Sequence, residues 1–451
     1  MNQSIPNAGQ PPGHLTVEPD SSGIVPIFIH SSFRTSSTWL WGAFRRLPET
    51  WAYCEIFHEA LASMTVDEAR KVNYQHWASG HPPSAPYFFE FTPMFRPEGG
   101  IATFHPSMSY ERFFPEDGPS GNLSAEECAH INALIENARS LGCRPILTDT
   151  RTLGRMQAIK AAYPSVTILL VRNIFHQWSS YSSQAMMGNP YFISMTDRIV
   201  RASGHDVFSR SLNDWYKDRR TESDNEAMFK TFLIHHLYLY AHAFDSADLI
   251  LDVNAIARDS ALRNDQEREI YSKTKLNINL SSVETNFTMT NLKIGNKLDF
   301  FDEIEQWMKR IGASGASSSG VRFAARMKDE ALEELDRWSF YAQGISKYYV
   351  TLLKKEEACR QDCQTRMQEH EQESAKMLVQ IQAQTEACTQ MQKQIRAQEQ
   401  TYTEVQAQMQ TQAQRSAETQ TRLQTILQSS SWRITQPLRA TKQLLLGRRK
   451  T

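Results

Sequence analysis

The chain has 451 residues, a formal net charge of −1 and six cysteines, with a mean hydropathy of −0.51. That charge balance points to neither a nucleic-acid surface nor a membrane surface as its main partner. The cysteines (Cys54, Cys128, Cys143, Cys359, Cys363 and Cys388) form no C-x2-C pair, which excludes a disulfide framework and predicts reduced thiols in a cytoplasmic protein.

Residues 1–23 contain no basic segment leading into an apolar run, so they predict a disordered lead-in rather than a secretory signal. No stretch reaches the roughly 18 consecutive apolar residues that a bilayer span needs. The globular part runs over 24–350. IVPIFIH (24–30) has the length and composition of a strand, and a helix is expected within SSTWLWGAFRRL (36–47), stopping at Pro48. WAYCEIF (51–57) reads as a second strand. The proline- and aromatic-rich segment 81–121 reads as a long loop bordering a site. Ile131, Leu134, Ile135 and Ala138 have helical spacing, RPILTD (144–149) is a third strand, a helix lies around 154–163, and SVTILLV (165–171) is a fourth strand. The last is nearly all apolar, as a strand covered on both faces should be. Alternating strands and helices predict a three-layer α/β/α fold around a central parallel sheet.

From 354 to 430 the chain has no proline or glycine and is rich in glutamine. Ile381, Cys388, Ile395, Tyr402 and Met409 recur every seven residues, with Leu423 in the same register. Met377, Met391, Val405 and Ile426 hold the companion positions, which Gln384, Gln398 and Gln412 interrupt. This predicts a long coiled coil with a polar core, and therefore a homo-oligomer; a glutamine-rich linker is the alternative. The tail 431–451 carries six basic residues (Arg433, Arg439, Lys442, Arg448, Arg449 and Lys450) beside Leu438 and Leu444–Leu446. It reads either as a peripheral contact with anionic lipid at the inner face of the membrane or as a solubilising end.

The segment IFIHSSFRTSSTWLW (27–41) carries the chemistry. A loop that leaves a buried strand and enters a helix presents free backbone N–H groups at the positive end of the helix dipole, a ready anion site. Ser36, Ser37 and Thr38 add hydroxyl donors and Arg34 adds a charged fork. The loop lacks the glycines and lysine of a G-x4-G-K-[ST] phosphate loop, and TILLVRN ends in Arg172 where a magnesium enzyme often has an acid. Two arginines in those places suggest an anion held without metal. A sulfuryl group carries less charge than a phosphoryl group, so donors and one cation suffice for it.

Here the chain resembles a family. Arg34, Thr35, Ser36, Ser37, Thr38 and Trp39 are similar to the 5′-phosphosulfate loop of sulfotransferases that use 3′-phosphoadenosine 5′-phosphosulfate (PAPS), typically [KR]-S-G-[ST]-T-x; Ser36 stands where glycine is usual. Arg172, Asn173 and Ser180 resemble the family's R-[ND]-P-x5-S motif for the 3′-phosphate, with Ile174 in place of proline. The resemblance spans about 24–350. It implies a P-loop NTPase-like sulfotransferase fold, PAPS as co-substrate, no metal and no nucleic-acid partner. It also implies a catalytic base at Glu55, at the carboxyl end of the second strand, with His58 and Glu59 as rivals. A carboxylate in that role needs its pKa raised by burial.

Arg151 and Arg155 follow the third strand and read either as pocket-lining cations or as surface charges. His235 and His236 read as structural histidines. NLKIGNK (291–297) is only a faint echo of the family's glycine-rich phosphate motif, which points to a bacterial-type branch. SWRITQPLR (431–439) resembles a segment that ends many bacterial glycosyltransferases of surface polysaccharide assembly, which implies a glycan acceptor. A magnesium-dependent P-loop kinase and a non-catalytic coiled-coil scaffold are the competing readings.

Overall fold

Strand β1 (Ile27–His30) is buried along its whole length, because both of its faces are covered. Ile27 and Ile29 cluster with Leu40, Trp41 and Phe44 of helix α1 (Ser37–Arg45). Phe28 clusters with Tyr53 and Leu147 on the opposite face of the sheet. β1 is the centre of a five-stranded sheet that also contains β2 (Thr50–Cys54), β3 (Arg144–Asp149), β4 (Val166–Val171) and β5 (Leu249–Asp252). The strand order is β2-β3-β1-β4-β5, and every pairing is parallel. The fold class is therefore the expected three-layer α/β/α. The structure, a computed structural model, describes residues 25–71, 86–219, 226–283, 285, 288 and 290–424, with side chains throughout these except at 343–351, 416–417, 420 and 422–424. The expected N-terminal lead-in and basic tail lie outside the described residues.

Between β2 and β3 come the short α2 (Val66–Ala69) and the long α3 (Ala125–Ser140). A capping box starts α3: Ser124 accepts from Glu127 N–H, and the Glu127 carboxylate accepts from Ser124 N–H. α4 (Met156–Ala162) leads into β4. A helical block follows: α5 (Ile174–Met186), α6 (Tyr191–Ala202), α7 (Val207–Tyr216) and α8 (Glu226–Ala243). α8 is buried on nearly every side, which accounts for its apolar sequence without a polar stripe. After β5 come α9 (Val253–Arg258), α10 (Ser260–Thr274), α11 (Lys297–Gly312) and α12 (Ser318–Gln424). Gly320 lets the first turn of α12 press on the backbone of α8 at Ala241, where a Cβ has no room. Phe323, Ala324, Met327, Ala331 and Leu335 then join the core around α8.

The chain divides into two compact units, Met1–Ala342 and Gln343–Thr451. In the second unit the chain is one helix as far as Gln424. No described helix is long and apolar enough to cross a membrane. The path from β1 to β2 runs to one side of the sheet, and after β3 the chain crosses to β4 on the other. The strand order thus reverses beside β1, and in open α/β sheets ligands gather at the carboxyl ends of strands at such a point.

Candidate active site

The loop between β1 and α1 leaves its own amides open. Ser36, the N-cap of α1, makes no side-chain cap hydrogen bond and sits at φ 63°, ψ 28°. Among the described residues, no acceptor meets the backbone N–H of Thr35, Ser36, Ser37 or Thr38. α5 differs, because the Asn173 side chain accepts from both Phe175 and His176 N–H. The anion-ready helix end is therefore that of α1.

Three residues at this end of the sheet occupy the left-handed region without being glycine: Arg34 (φ 63°), Ser36 (φ 63°) and Glu55 (φ 58°). Each such residue costs on the order of 1–2 kcal/mol, and such strain concentrates at functional sites. At Ser36 a glycine would relieve it. The Ser36 hydroxyl makes no hydrogen bond among the described residues. Ser36→Gly is therefore expected to raise unfolding stability by about 1 kcal/mol. Urea denaturation checks this, and a less stable variant would show that the hydroxyl is needed.

Packing holds the loop from below. Ser32 Oγ lies 2.6 Å from His236 Nε2, while His236 Nδ1 lies 2.7 Å from the Phe232 carbonyl. His236 therefore donates to Phe232 and accepts from Ser32. Burial holds its pKa down, at about 4, with the Phe232 carbonyl opposing. Thr35 Oγ1 donates to the Ser32 carbonyl at 2.6 Å. Thr38 Oγ1 lies 3.4 Å from Tyr87 Oη, and Trp39 Nε1 donates to Ser282 Oγ at 3.2 Å. The histidine pair read as structural thus splits in role: His235 is packed against Phe113 and Phe114, and His236 braces the loop.

The two motifs meet in space. Arg34 Nε donates to Ser180 Oγ at 2.9 Å, and an Arg172 guanidinium nitrogen donates to the Arg34 carbonyl at 2.9 Å. Ser180 Oγ is the acceptor in the first of these bonds, so its own proton remains available to a ligand. Arg34 also lies 5.1 Å from the Phe192 ring and has no carboxylate partner among the described residues. Burial, then the neighbouring Arg34 charge, lowers Arg172 to about 10. Arg172 is 7% exposed. Arg34 is half-buried beside it, and two adjacent cations favour an anion close by.

A second cluster surrounds Arg151, which is fully buried. It donates to Glu55 Oε2 at 2.5 Å, Glu59 Oε2 at 2.8 Å, Tyr110 Oη at 3.2 Å and Tyr191 Oη at 3.1 Å. Tyr191 Oη in turn donates to Glu59 Oε1 at 3.0 Å. Arg151 does not face solvent, so the surface-charge reading of it is not met. Arg155, also fully buried, pairs with Glu127 and caps the Met108 carbonyl; its role is structural.

The three candidate bases differ sharply. Glu55 Oε2 takes bonds from Thr150 Oγ1 at 2.7 Å and from Arg151, and Oε1 takes none among the described residues. Burial raises Glu55 to about 7, with Asp149 adding to the rise and Arg151 and Thr150 opposing. At Glu59 burial acts upward, but Arg151 and His58 outweigh it and hold the group at about 2. His58 is lowered to about 3 by burial and then Arg151, and its Nδ1 accepts from Ala60 N–H at 3.1 Å.

One acid does stand at a strand end beside β1. Asp149 closes β3, whereas Arg172 follows β4. Both Asp149 oxygens are engaged: Oδ2 accepts from Phe57 N–H at 2.6 Å, and Oδ1 accepts from Arg151 N–H. Asp149 is committed to fixing these two loops rather than offered to a cation.

The chain is similar to a sulfotransferase domain. That domain comes from the Synechococcus PCC 7002 olefin synthase, with 15% identity, a TM-score of 0.26, and coverage of 62% of this chain and 94% of that one. No protein-family profile and no curated protein matches the chain in sequence.

Proposed function

We propose that the chain is a sulfotransferase that moves a sulfuryl group from PAPS to a hydroxyl acceptor. One observation carries this: the open amides of Thr35–Thr38 start α1 next to Arg34, which is bonded to Ser180 and to Arg172. That donor set fits a ligand with two separate anionic groups and asks for no metal. Arg34, Thr35, Ser36, Ser37, Thr38 and Trp39 would hold the 5′-phosphosulfate, and Arg172 with Ser180 the 3′-phosphate. The co-substrate supplies the sulfuryl group and a phosphate leaving group. The amides and Arg34 are preorganised to meet charge that grows there. Glu55 orients the acceptor hydroxyl and takes its proton on Oε1. Its pKa of about 7 suits a base at neutral pH. Glu59 and His58 are held too acidic for that role and act on Arg151 and the local turn.

The acceptor is proposed to be a glycan, from the likeness of residues 431–439 to polysaccharide-assembly enzymes. A peripheral membrane contact through the basic tail and a cytoplasmic location belong to the same proposal.

Calorimetric titration with adenosine 3′,5′-bisphosphate in EDTA tests the reading. Saturable one-site binding is expected, and its absence would overturn the proposal. Arg172→Ala is expected to weaken binding by about 10–100-fold, as loss of a charge-assisted bond worth about 1.5–3 kcal/mol does. Unchanged affinity in that variant removes Arg172 from the site.

A further inference from the structure

From Met367 to Met409 the large apolar side chains of α12 fall on two registers, apart from Leu378 and Val379. Met367, Ile381, Ile395, Tyr402 and Met409 share one register with Cys388; Met377, Met391 and Val405 share the other with Cys363. The two registers are offset by three residues, the a and d positions of a heptad. The seam is bare: Ile381 is 57% exposed, Ile395 53% and Met409 65%. Such a stripe on a helix in water is stable only against a partner of matching period.

We infer that this seam pairs with a second copy of the chain as a parallel, in-register, two-stranded coiled coil. The inference stands apart from the PAPS reading. Three features of the seam favour it. Gln384, Gln398 and Gln412 occupy d positions, alternating with Met391 and Val405. In register, each amide meets its own copy and the pair can bond; slipped by one heptad, each faces Met or Val and is buried without a partner, apart from one copy of Gln412, which faces Thr419. In the antiparallel arrangement d positions pack against a positions, so the glutamines face Ile381 and Ile395 in one register or Cys388 and Tyr402 in another. Charge agrees as well. Arg366 at g meets Glu371 at e of the next heptad in the parallel arrangement, and Arg366 also pairs with Asp362 on its own helix at 3.1 Å. Finally, Ile381 and Ile395 at a are β-branched, the a-position half of the pattern that favours two strands.

Cysteine cross-linking of the full chain tests orientation and register together. One variant keeps Cys388 as the last coil cysteine (Cys359→Ser, Cys363→Ser); a second keeps Cys363 (Cys359→Ser, Cys388→Ser). Diamide serves as the oxidant, accepting the two hydrogens released as each disulfide forms. Both variants are expected to give a covalent dimer, with mass spectrometry finding Cys388–Cys388 and Cys363–Cys363 links. An antiparallel pair can cross at one of these positions but not at both. A one-heptad slip separates like cysteines by about 10 Å and links neither. A dimer from only one variant, from neither, or a monomer by light scattering would overturn the inference.

Discussion

Arg151→Met is expected to destabilise the folded protein by about 3–5 kcal/mol, the usual cost of removing one partner from a buried ion pair. The guanidinium is fully buried and lies 5.0 Å from the Phe33 ring. It serves two carboxylates at once, Glu55 and Glu59. Methionine restores the volume but leaves both carboxylates facing each other without the Arg151 cation, and removes one donor each from Tyr110 and Tyr191. Urea denaturation followed by tryptophan fluorescence at neutral pH measures the effect. A loss below about 1 kcal/mol would show that the cluster is dispensable. The substitution also has a signature that a merely structural residue lacks. Arg151 opposes the rise in Glu55 pKa, so its removal moves any pH profile set by Glu55 to more alkaline values.

How well the sequence foretold this architecture depends on where each residue's partners lie. β3 runs Arg144–Asp149, the limits of RPILTD, because a continuous apolar run between polar ends has few other solutions in a buried parallel sheet. β5 escaped notice: LILD is only four residues long, and Asp252 immediately caps α9. The loop chemistry of residues 34–39 was readable because its donors are adjacent in the chain. Arg151 was not. Its carboxylates lie 92 and 96 residues away, and an arginine followed by polar residues looks the same whether it is destined for solvent or for a buried pair. Glu55 was named from the family resemblance and its place at a strand end, while the feature that separates it from Glu59 is its deeper burial, with Asp149 adding to the rise. Such an asymmetry exists only after folding, when two carboxylates compete for the same cation and burial penalises them unequally. Likewise His236 gave no sign of touching Ser32, 204 positions earlier.

Glu55→Gln is expected to reduce turnover by about 10²–10⁴-fold, the range that general-base catalysis contributes. Turnover is followed as adenosine 3′,5′-bisphosphate released from PAPS in the presence of glycan acceptors, while titration with the bisphosphate itself should be unchanged. Glutamine keeps the shape and can still accept from Thr150 and Arg151, but it cannot take a proton at neutral pH. In the unaltered protein the base works only when ionised. The rate therefore climbs as pH rises through about 7 and levels off above it. The same group fixes the sign of a stability change. The folded chain keeps the Glu55 proton up to about pH 7, whereas the unfolded chain releases it near the ordinary 4.5. Between those values the folded state binds more protons, so this group makes stability fall as pH rises. In Glu55→Gln that contribution is absent, and the variant gains on the parent as pH increases across the window. Two measurements thus turn on one pKa: the rate reaches half its plateau at about pH 7, where the fall in stability ends. Full turnover in the variant, or a parent rate that stays flat across that window, would remove Glu55 as the base. A lost rate with an unchanged stability profile would mean that Glu55 acts in the reaction without the raised pKa that its burial beside Asp149 produces.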